Sequence, residues 1–194
     1  MNSILIILLI VSILLNIKFF MDIQKCKNAS KELEGLATID PITKINNKYK
    51  IEMVLEEQIF ISRRYDRNLC LIQFSIDEFI ELSSKNGEAA CNSILKELVS
   101  LVEKEVRVSD ILGRWNEQEF IVALPETSMI HAVMLAEKLR QKIEIHQFEN
   151  IESITACFGI TVMNEKDQVN TFVSRAQNAL YKAKESGINK VEVI

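Results

Sequence analysis

The sequence predicts an α+β sandwich of ferredoxin-like kind, with a central, largely antiparallel sheet, preceded by one transmembrane helix. Three observations support this prediction. Apolar runs of strand length alternate with segments whose apolar residues recur at helical spacing. Two of the strands are separated by four polar residues, as in a hairpin. The chain also begins with 17 uncharged residues.

The N-terminal segment, residues 1–21, is expected to be an uncleaved membrane anchor. Every residue from 4 to 15 is apolar except Ser12, and no small-residue cleavage site follows. Because the nearby lysines all lie after this stretch, the rest of the chain is expected in the cytoplasm, on a single-pass protein of the cell membrane. The alternative is a buried core helix. The lysines are Lys18, Lys25, Lys27 and Lys31.

Residues 22–39 are predicted to be a cytoplasmic linker with a short helical stretch at 30–34, and residues 40–194 to be the folded domain. Apolar periodicity predicts helices around residues 51–59, 94–102, 132–143 and 169–183, the last one ended by Gly187. A short helical turn is expected at 78–83. Apolar runs predict strands at 69–74, 110–115, 120–124, 154–163 and 190–194, with residues 116–119 as the hairpin turn.

The amino-acid composition excludes several classes of protein. With 194 residues, 48% of them hydrophobic, the chain has room for one domain and an appendage. Five glycines, two prolines and four scattered cysteines exclude collagen-like and disulfide-scaffold proteins, and the cysteines are expected to be reduced packing residues. A net charge of −4 provides no broad basic surface, so no nucleic-acid partner is expected.

Five fragments match the motifs of one family in order and spacing. Residues 40–48, DPITKINNK, resemble D-x-L-T-x-L-x-N-R, and residues 76–79 resemble the end of D-I-D-x-F-K. Residues 114–120, RWNEQEF, stand in the place of R-[YW]-G-G-[DE]-E-F. Residues 136–140 resemble A-E-x-x-R, and residues 179–189 resemble A-L-Y-x-A-K-x-x-G-R-N. The domain therefore resembles the GGDEF domains, diguanylate cyclases with the palm fold of nucleotidyl cyclases that condense two GTP into cyclic di-GMP.

Judged by that resemblance, the signature at residues 116–120 is degenerate. The family's two Mg²⁺ ligands correspond to Ser75 and Gln118, which supply no negative charge, so no metal cofactor is expected unless the domain is an active cyclase. The two glycines against which the nucleotide lies correspond to Asn116 and Glu117, whose side chains are expected to fill that space. Glu119 and Phe120 complete the signature unchanged.

The nucleotide-binding positions also differ from the family. The two residues that hydrogen-bond guanine correspond to Ser83 and Asn92, which cannot reproduce a carboxylate acceptor. Of the two phosphate-binding cations, Lys184 remains and the arginine is replaced by Ile188. No catalytic set is intact by this comparison.

The acids near the hairpin leave two interpretations open. Asp77, Glu117 and Glu119 could form a rearranged metal site. In the other interpretation, Asp77 caps the helical turn that begins at Glu78, and the two glutamates are solvated turn residues. The second is favoured, because a metal site needs ligands of fixed geometry.

One ligand-binding motif of the family is retained. Residues 107–110 match the R-x-x-D of its product-inhibition site, and Lys138 falls where a second basic contact is often found. The resemblance implies that Arg107 and Asp110 read guanine while the basic groups attract the phosphates of cyclic di-GMP. The alternative is a surface ion pair between Arg107 and Asp110.

Three functions remain open at this stage. The favoured one is a membrane-anchored, non-catalytic receptor or interaction module in cyclic di-GMP signalling, with a homo- or heterodimer of GGDEF type as a further partner. The first alternative is an active or weakly active diguanylate cyclase. The second is a protein-interaction module that binds no nucleotide.

Overall fold

The computed structural model describes residues 13, 15–21, 38–149 and 153–194. The chain divides into two units, Met1–Ala37 and Thr38–Ile194. In the first unit, the described residues are helical. Among the described residues, no helix combines the length and hydropathy that a membrane crossing requires. Most of the predicted anchor at 1–21 and the linker helix at 30–34 lie outside the described residues, so both stay predictions.

The second unit has the predicted order of elements. Helix α1 (Lys48–Tyr65) is followed by strand β1 (Leu69–Ile76), helix α2 (Phe79–Glu103), strand β2 (Ile111–Arg114) and strand β3 (Glu119–Pro125). Helix α3 (Met129–Ile145), strand β4 (Ala156–Val162), helix α4 (Val169–Ser186) and strand β5 (Val191–Val193) complete it. The predicted helical turn and long helix at 78–102 form one element, α2, with a break at Gly87, where φ is 79°.

The five strands form one mixed sheet in the order β2-β3-β1-β4-β5. The pairs β2–β3, β3–β1 and β1–β4 are antiparallel, and β4–β5 is parallel. The largely antiparallel sheet of ferredoxin-like order is therefore confirmed, with β5 as an added parallel edge strand.

Helices cover both faces of the sheet, and β1 is buried along its whole length. One core lies against α2 and α3, and Phe74 stacks there on Phe120 and Phe158 with ring centroids 5.2 Å apart in each pair. The other core lies between the opposite face and helices α1 and α4. Cys70, Cys91 and Cys157 are free and buried, as expected for packing residues.

Helix α4 approaches the sheet closely at Gly159 of β4. A Cβ atom at this position would lie 2.0 Å from the backbone nitrogen of Leu180 and 2.4 Å from the carbonyl oxygen of Ala176. Only glycine permits this contact. It brings the last turn of α4, which ends at Gly187 as predicted, over the end of β1.

Candidate functional site

A row of three side chains crosses the sheet at the end of β1. Ser75 pairs with Glu119 of β3 on one side and with Cys157 of β4 on the other. Because side chains alternate along a strand, all three project from the face that α4 covers. The structure therefore brings together Ser75, which follows the predicted strand at 69–74, and Glu119 of the predicted hairpin turn.

Lys184 of α4 reaches this row. Its ammonium nitrogen donates a hydrogen bond to the Ser75 hydroxyl at 3.0 Å, and Ser75 itself is fully buried. The hydroxyl donates in turn to the carbonyl oxygen of Ile76 at 3.2 Å. A cation of the protein therefore stands beside the position that the resemblance assigns to a metal ligand.

The Asn116 side chain organises the hairpin turn. Its Oδ1 accepts hydrogen bonds from the backbone N–H groups of Gln118 at 3.1 Å and Glu119 at 2.9 Å. Its Nδ2 donates to Glu119 Oε2 at 2.8 Å. This is the local side-chain-to-backbone bonding that makes asparagine favourable in turns. The residue that replaces a family glycine thus folds onto the hairpin itself.

Gln73 is a site residue that the sequence reasoning missed. It is fully buried in β1, and its Nε2 donates to Glu119 Oε2 at 2.9 Å. Its Oε1 has no hydrogen-bond partner in the described part of the chain. The available signal was a single amide within the apolar run at 69–74. Two amides, from Gln73 and Asn116, therefore hold the Glu119 carboxylate.

Arg114 connects the hairpin to the start of the domain. Its guanidinium donates to the carbonyl oxygens of Asn116 at 3.1 Å and Glu117 at 2.6 Å, and it forms an ion pair with Asp40. Burial raises the pKa of Asp40, but hydrogen bonds from Thr43 and the Arg114 guanidinium outweigh it and hold the pKa below its usual value. The carboxylate is therefore charged at neutral pH.

Asp77 has a different role from either interpretation of the sequence. Its Oδ2 accepts hydrogen bonds from Thr155 Oγ1 at 2.7 Å and from the backbone N–H of Asn189 at 2.8 Å. Glu78, with φ of 52°, precedes α2, and no side chain caps that helix. The prediction that Asp77 caps the helical turn is therefore wrong, because the carboxylate instead fixes the loop between α4 and β5.

The side chains of Ser75, Glu119 and Asp77 do not form a site that fits a divalent cation. Ser75 is bound by an ammonium group, and Glu119 and Asp77 are held by hydrogen bonds within the protein. No group of three or more histidine, cysteine, aspartate or glutamate side chains with metal-binding geometry occurs among the described residues. Magnesium needs carboxylates in near-octahedral geometry, so the rearranged metal site has no support.

The residues at the predicted guanine positions lie on either side of the break in α2, and those at the predicted phosphate positions lie at the end of α4. Ser83 and Asn92 lie on opposite sides of Gly87, and both are partly exposed. Ile188 is 56% exposed just after α4. Of these guanine and phosphate positions, Lys184 is the one whose side chain forms a hydrogen bond with Ser75.

The R-x-x-D residues lie in the loop between α2 and β2, apart from the row at Ser75. Asp110 accepts a hydrogen bond from the backbone N–H of Arg107 at 2.8 Å, and the Arg107 side chain is exposed. Within the described residues, the predicted alternative of an ion pair between these two side chains is not found. Lys138 of α3 forms an ion pair with Glu105 of the same loop at 2.7 Å. A groove of about 410 Å³ runs beside Arg107 and Asp110.

The family model described as "Diguanylate cyclase, GGDEF domain" matches residues 37–190, most of the chain. The chain belongs to the GGDEF family. The match covers the unit Thr38–Ile194 up to the start of β5, so the Ser75 row and the R-x-x-D loop both lie within the GGDEF domain.

Similar proteins are known in sequence and in structure. The chain is 31% identical over 160 residues to diguanylate cyclase DgcP of Pseudomonas aeruginosa, covering 81% of this chain and 24% of DgcP. It matches diguanylate cyclase SiaD, solved in complex with its activator SiaC from Pseudomonas aeruginosa, with a TM-score of 0.77 and 26% identity over 88% of this chain and 67% of SiaD. The active GGEEF domain of a diguanylate cyclase from Vibrio cholerae matches with a TM-score of 0.72 and 28% identity, covering 76% of this chain and 96% of that domain.

The GGDEF domain has the fold of its solved relatives, so the α+β fold expected from the resemblance is confirmed. The chain spans only about a quarter of the length of DgcP. What the relatives do as whole proteins is therefore not transferred to this chain by the match itself.

Proposed function

We propose that this GGDEF domain acts in cyclic di-GMP signalling as a non-catalytic receptor or interaction module. The observation that carries the proposal is the hydrogen bond from Lys184 to Ser75 at 3.0 Å. It places an ammonium group and a hydroxyl where a cyclase of this family is expected to hold Mg²⁺ with a carboxylate. Phosphoryl transfer depends on such charge stabilisation, so its loss removes most of the catalytic power.

The R-x-x-D loop supports the receptor role. Arg107 is exposed, and its guanidinium can present two parallel donors to O6 and N7 of guanine. The Asp110 carboxylate, already oriented by the backbone N–H of Arg107, is a suitable acceptor for N1 and N2 of guanine. Lys138 adds a positive charge for the phosphates of a dianionic ligand.

We further propose that residues 1–21 anchor the chain in the cell membrane with the GGDEF domain in the cytoplasm. This proposal rests on the uncharged first 17 residues and on the lysines that follow them.

A calorimetric titration of the full chain, in a non-ionic detergent, tests the receptor role. Cyclic di-GMP should bind, and GTP with Mg²⁺ should bind much more weakly. Arg107→Ala should weaken cyclic di-GMP binding by about 2 to 4 kcal/mol, because a two-point contact and a charge are lost together. Arg64→Ala is the matched control, since it removes the charge of an exposed arginine near the end of α1 and should bind like wild type.

The names of the relatives favour a second candidate, an active or weakly active diguanylate cyclase. Product formation from GTP would establish it. If the full chain shows neither binding of cyclic di-GMP at millimolar concentration nor turnover, the remaining function is a protein-interaction module. The SiaD relative was solved in complex with its activator SiaC.

A further inference from the structure

The first two turns of α2, residues 79–86, lie between two residues whose backbone is not helical. Glu78, which precedes them, has φ of 52° and ψ of 29°, and Gly87, which follows them, has φ of 79° and ψ of 167°. Residues with positive φ occur singly and do not continue a right-handed helix. Residues 79–86 are therefore a separate short helix with one such residue at each end.

The two parts of α2 differ in how they are held. In residues 79–86, Phe79 and Leu82 are half-buried and pack against the core on this face of the sheet, while Ile80 is 75% exposed. Beyond Gly87, the buried side chains are Cys91, Ile94, Leu95, Leu98, Val99 and Val102. Because the hydrophobic contribution to stability grows with the apolar area removed from water, the first part is bound to the domain much more weakly than the second.

The hydrogen bonds of residues 79–86 stay within this short helix and the residue before it. The Ser84 hydroxyl donates to the carbonyl oxygen of Glu81 at 2.8 Å, and Asn86 Nδ2 donates to the carbonyl oxygen of Leu82 at 2.9 Å. Within the part of the chain that the structure describes, no hydrogen bond or ion pair joins residues 79–86 to another helix or strand. Detachment of this helix from the core would therefore break hydrophobic contacts only.

The chain is fixed on both sides of this short helix. Asp77, directly before Glu78, donates its backbone N–H to the carbonyl oxygen of Thr155 at 2.9 Å, and its carboxylate is bound by Thr155 and Asn189. On the other side, Cys91 is the first of the buried residues that follow Gly87. Movement of residues 79–86 is therefore confined to the chain between these two attachments.

We propose that residues 79–86 form a flap that detaches and unfolds as one unit, with Glu78 and Gly87 as its hinges, while the rest of the domain stays folded. A helix of two turns is not stable alone in water, so detachment and unfolding occur together. A segment with few buried apolar contacts opens at a lower free energy than the whole domain unfolds. The open state exposes Phe79 and the core surface beneath it. The flap opens whether or not a nucleotide binds, which takes this inference beyond the receptor function.

Hydrogen exchange of the full chain in a non-ionic detergent, followed by mass spectrometry, tests the flap directly. The backbone N–H groups of residues 82–86 should have protection factors at least about a hundredfold smaller than those of residues 94–102. Low urea concentrations should leave exchange in the flap unchanged, because its opening exposes little surface, whereas exchange in residues 94–102 should accelerate. Equal protection of the two parts of α2, or the same response to urea, would overturn the inference.

Two matched variants test the contacts that hold the flap. Leu82→Ala truncates a side chain that packs against the core, so exchange of residues 83–86 should become about tenfold faster. Ile80→Ala makes a similar truncation at an exposed position of the same short helix and should change the rate by no more than about threefold. Thermal melts identify any loss of folding. Equal acceleration by the two variants would show that core contacts do not hold the flap, and would overturn the inference.

Cleavage of the wild-type chain by a lysine-specific protease needs no variant. Lys85 of the flap and Lys96 of the second part of α2 are both exposed, so exposure of the side chain does not distinguish them. The initial rate at each bond is divided by the rate at the same bond in the urea-unfolded chain. On this scale, cleavage after Lys85 should be at least about a hundredfold faster than after Lys96, because only the flap opens locally. Equal rates at the two lysines would overturn the inference and leave the receptor function untouched.

Discussion

Asp40 and Arg114, 74 residues apart in the chain, form an ion pair in which Nη1 of the arginine lies 3.2 Å and 3.3 Å from the two carboxylate oxygens. Both side chains are largely buried, with 14% and 9% exposed. The remaining guanidinium nitrogens bind the hairpin backbone, so the pair joins the first residues of the domain to the signature turn.

Asp40→Asn should lower the free energy of unfolding by about 2 to 4 kcal/mol at pH 7, because it leaves the Arg114 charge buried without its partner. Urea denaturation of the full chain followed by circular dichroism measures this. Glu126→Gln is the control, since Glu126 forms an exposed ion pair with Arg67 and its loss should cost under about 0.5 kcal/mol. Similar losses in both variants would contradict the prediction.

The same pair gives a pH dependence of known sign. The folded state lowers the pKa of Asp40, so its contribution to stability is present above the unfolded-state value near 3.8 and is lost as the pH falls through the lower folded-state pKa. The stability difference between wild type and Asp40→Asn should therefore be constant from pH 7 to about pH 5 and shrink below about pH 4. A difference that stays constant to about pH 2 would show that Asp40 is not the titrating group.

Gly159→Ala should destabilise the domain by about 3 kcal/mol or more, because the added methyl group meets the backbone of α4, which cannot move as a flexible side chain can. Gly87→Ala tests a second reason for a glycine, which is a positive φ angle rather than a close approach of the backbone. Its Cβ would meet nothing within 4 Å, but φ is 79° and ψ is 167°, a backbone conformation that residues other than glycine rarely adopt, so a cost of about 1 to 3 kcal/mol is expected. Denaturation midpoints of the two variants measure the loss of stability in each. A Gly159→Ala variant as stable as wild type would mean that α4 lies further from the sheet.

The purified chain should make no cyclic di-GMP from GTP with Mg²⁺ or Mn²⁺. The reason is the joint change at Ser75, Asn116, Glu117 and Gln118, of which Ser75 is bound by Lys184. Mass spectrometry of the reaction mixture detects the product with high sensitivity. Turnover well above background that Glu119→Gln abolishes would establish a rearranged carboxylate site and the cyclase function.

Metal removal should have no effect on stability. Ser75 and Glu119 are satisfied by Lys184, Gln73 and Asn116, so the site needs no cation to balance its charges. The melting temperature in EDTA should equal that in millimolar MgCl₂ to within about 1 °C, since binding to the native state alone would raise it. A clear rise with MgCl₂ that is absent in NaCl of equal ionic strength would contradict this.

The proposed topology can be tested in intact cells that express the chain with a C-terminal tag. Protease added outside should leave the tag uncut, because the lysines after the apolar stretch favour the cytoplasmic side. Permeabilised cells are the control, and there the tag should be removed. Removal of the tag from intact cells would reverse the topology.

The sequence predicted the order of the elements in the domain because each has a local signal. Helix α4 shows an apolar residue every three or four positions and a glycine at its end, and its observed bounds follow that pattern. Strand β1 was predicted two residues too short, since Ser75 interrupts its apolar run although the strand continues to Ile76. Polar character at one position says little about where strand pairing ends.

The contacts of the site could not be predicted in the same way. Lys184 and Ser75 are 109 residues apart, and their contact depends on the close approach of α4 at Gly159. Motif matching assigned each a position in the family but gave no distance between them. Gln73 matched no motif, and its hydrogen bond to Glu119 follows only from the register of β1 and β3.

The sheet described above ends in two short outer strands, β2 with four residues and β5 with three. The free side of β2 is partly covered, because Asn46 bridges to Gly113 and accepts a hydrogen bond from the backbone N–H of Arg114. Little backbone is therefore left for another chain to extend the sheet. Copies held close together should resist strand-by-strand aggregation, and a pair of these domains would have to associate through helices and loops.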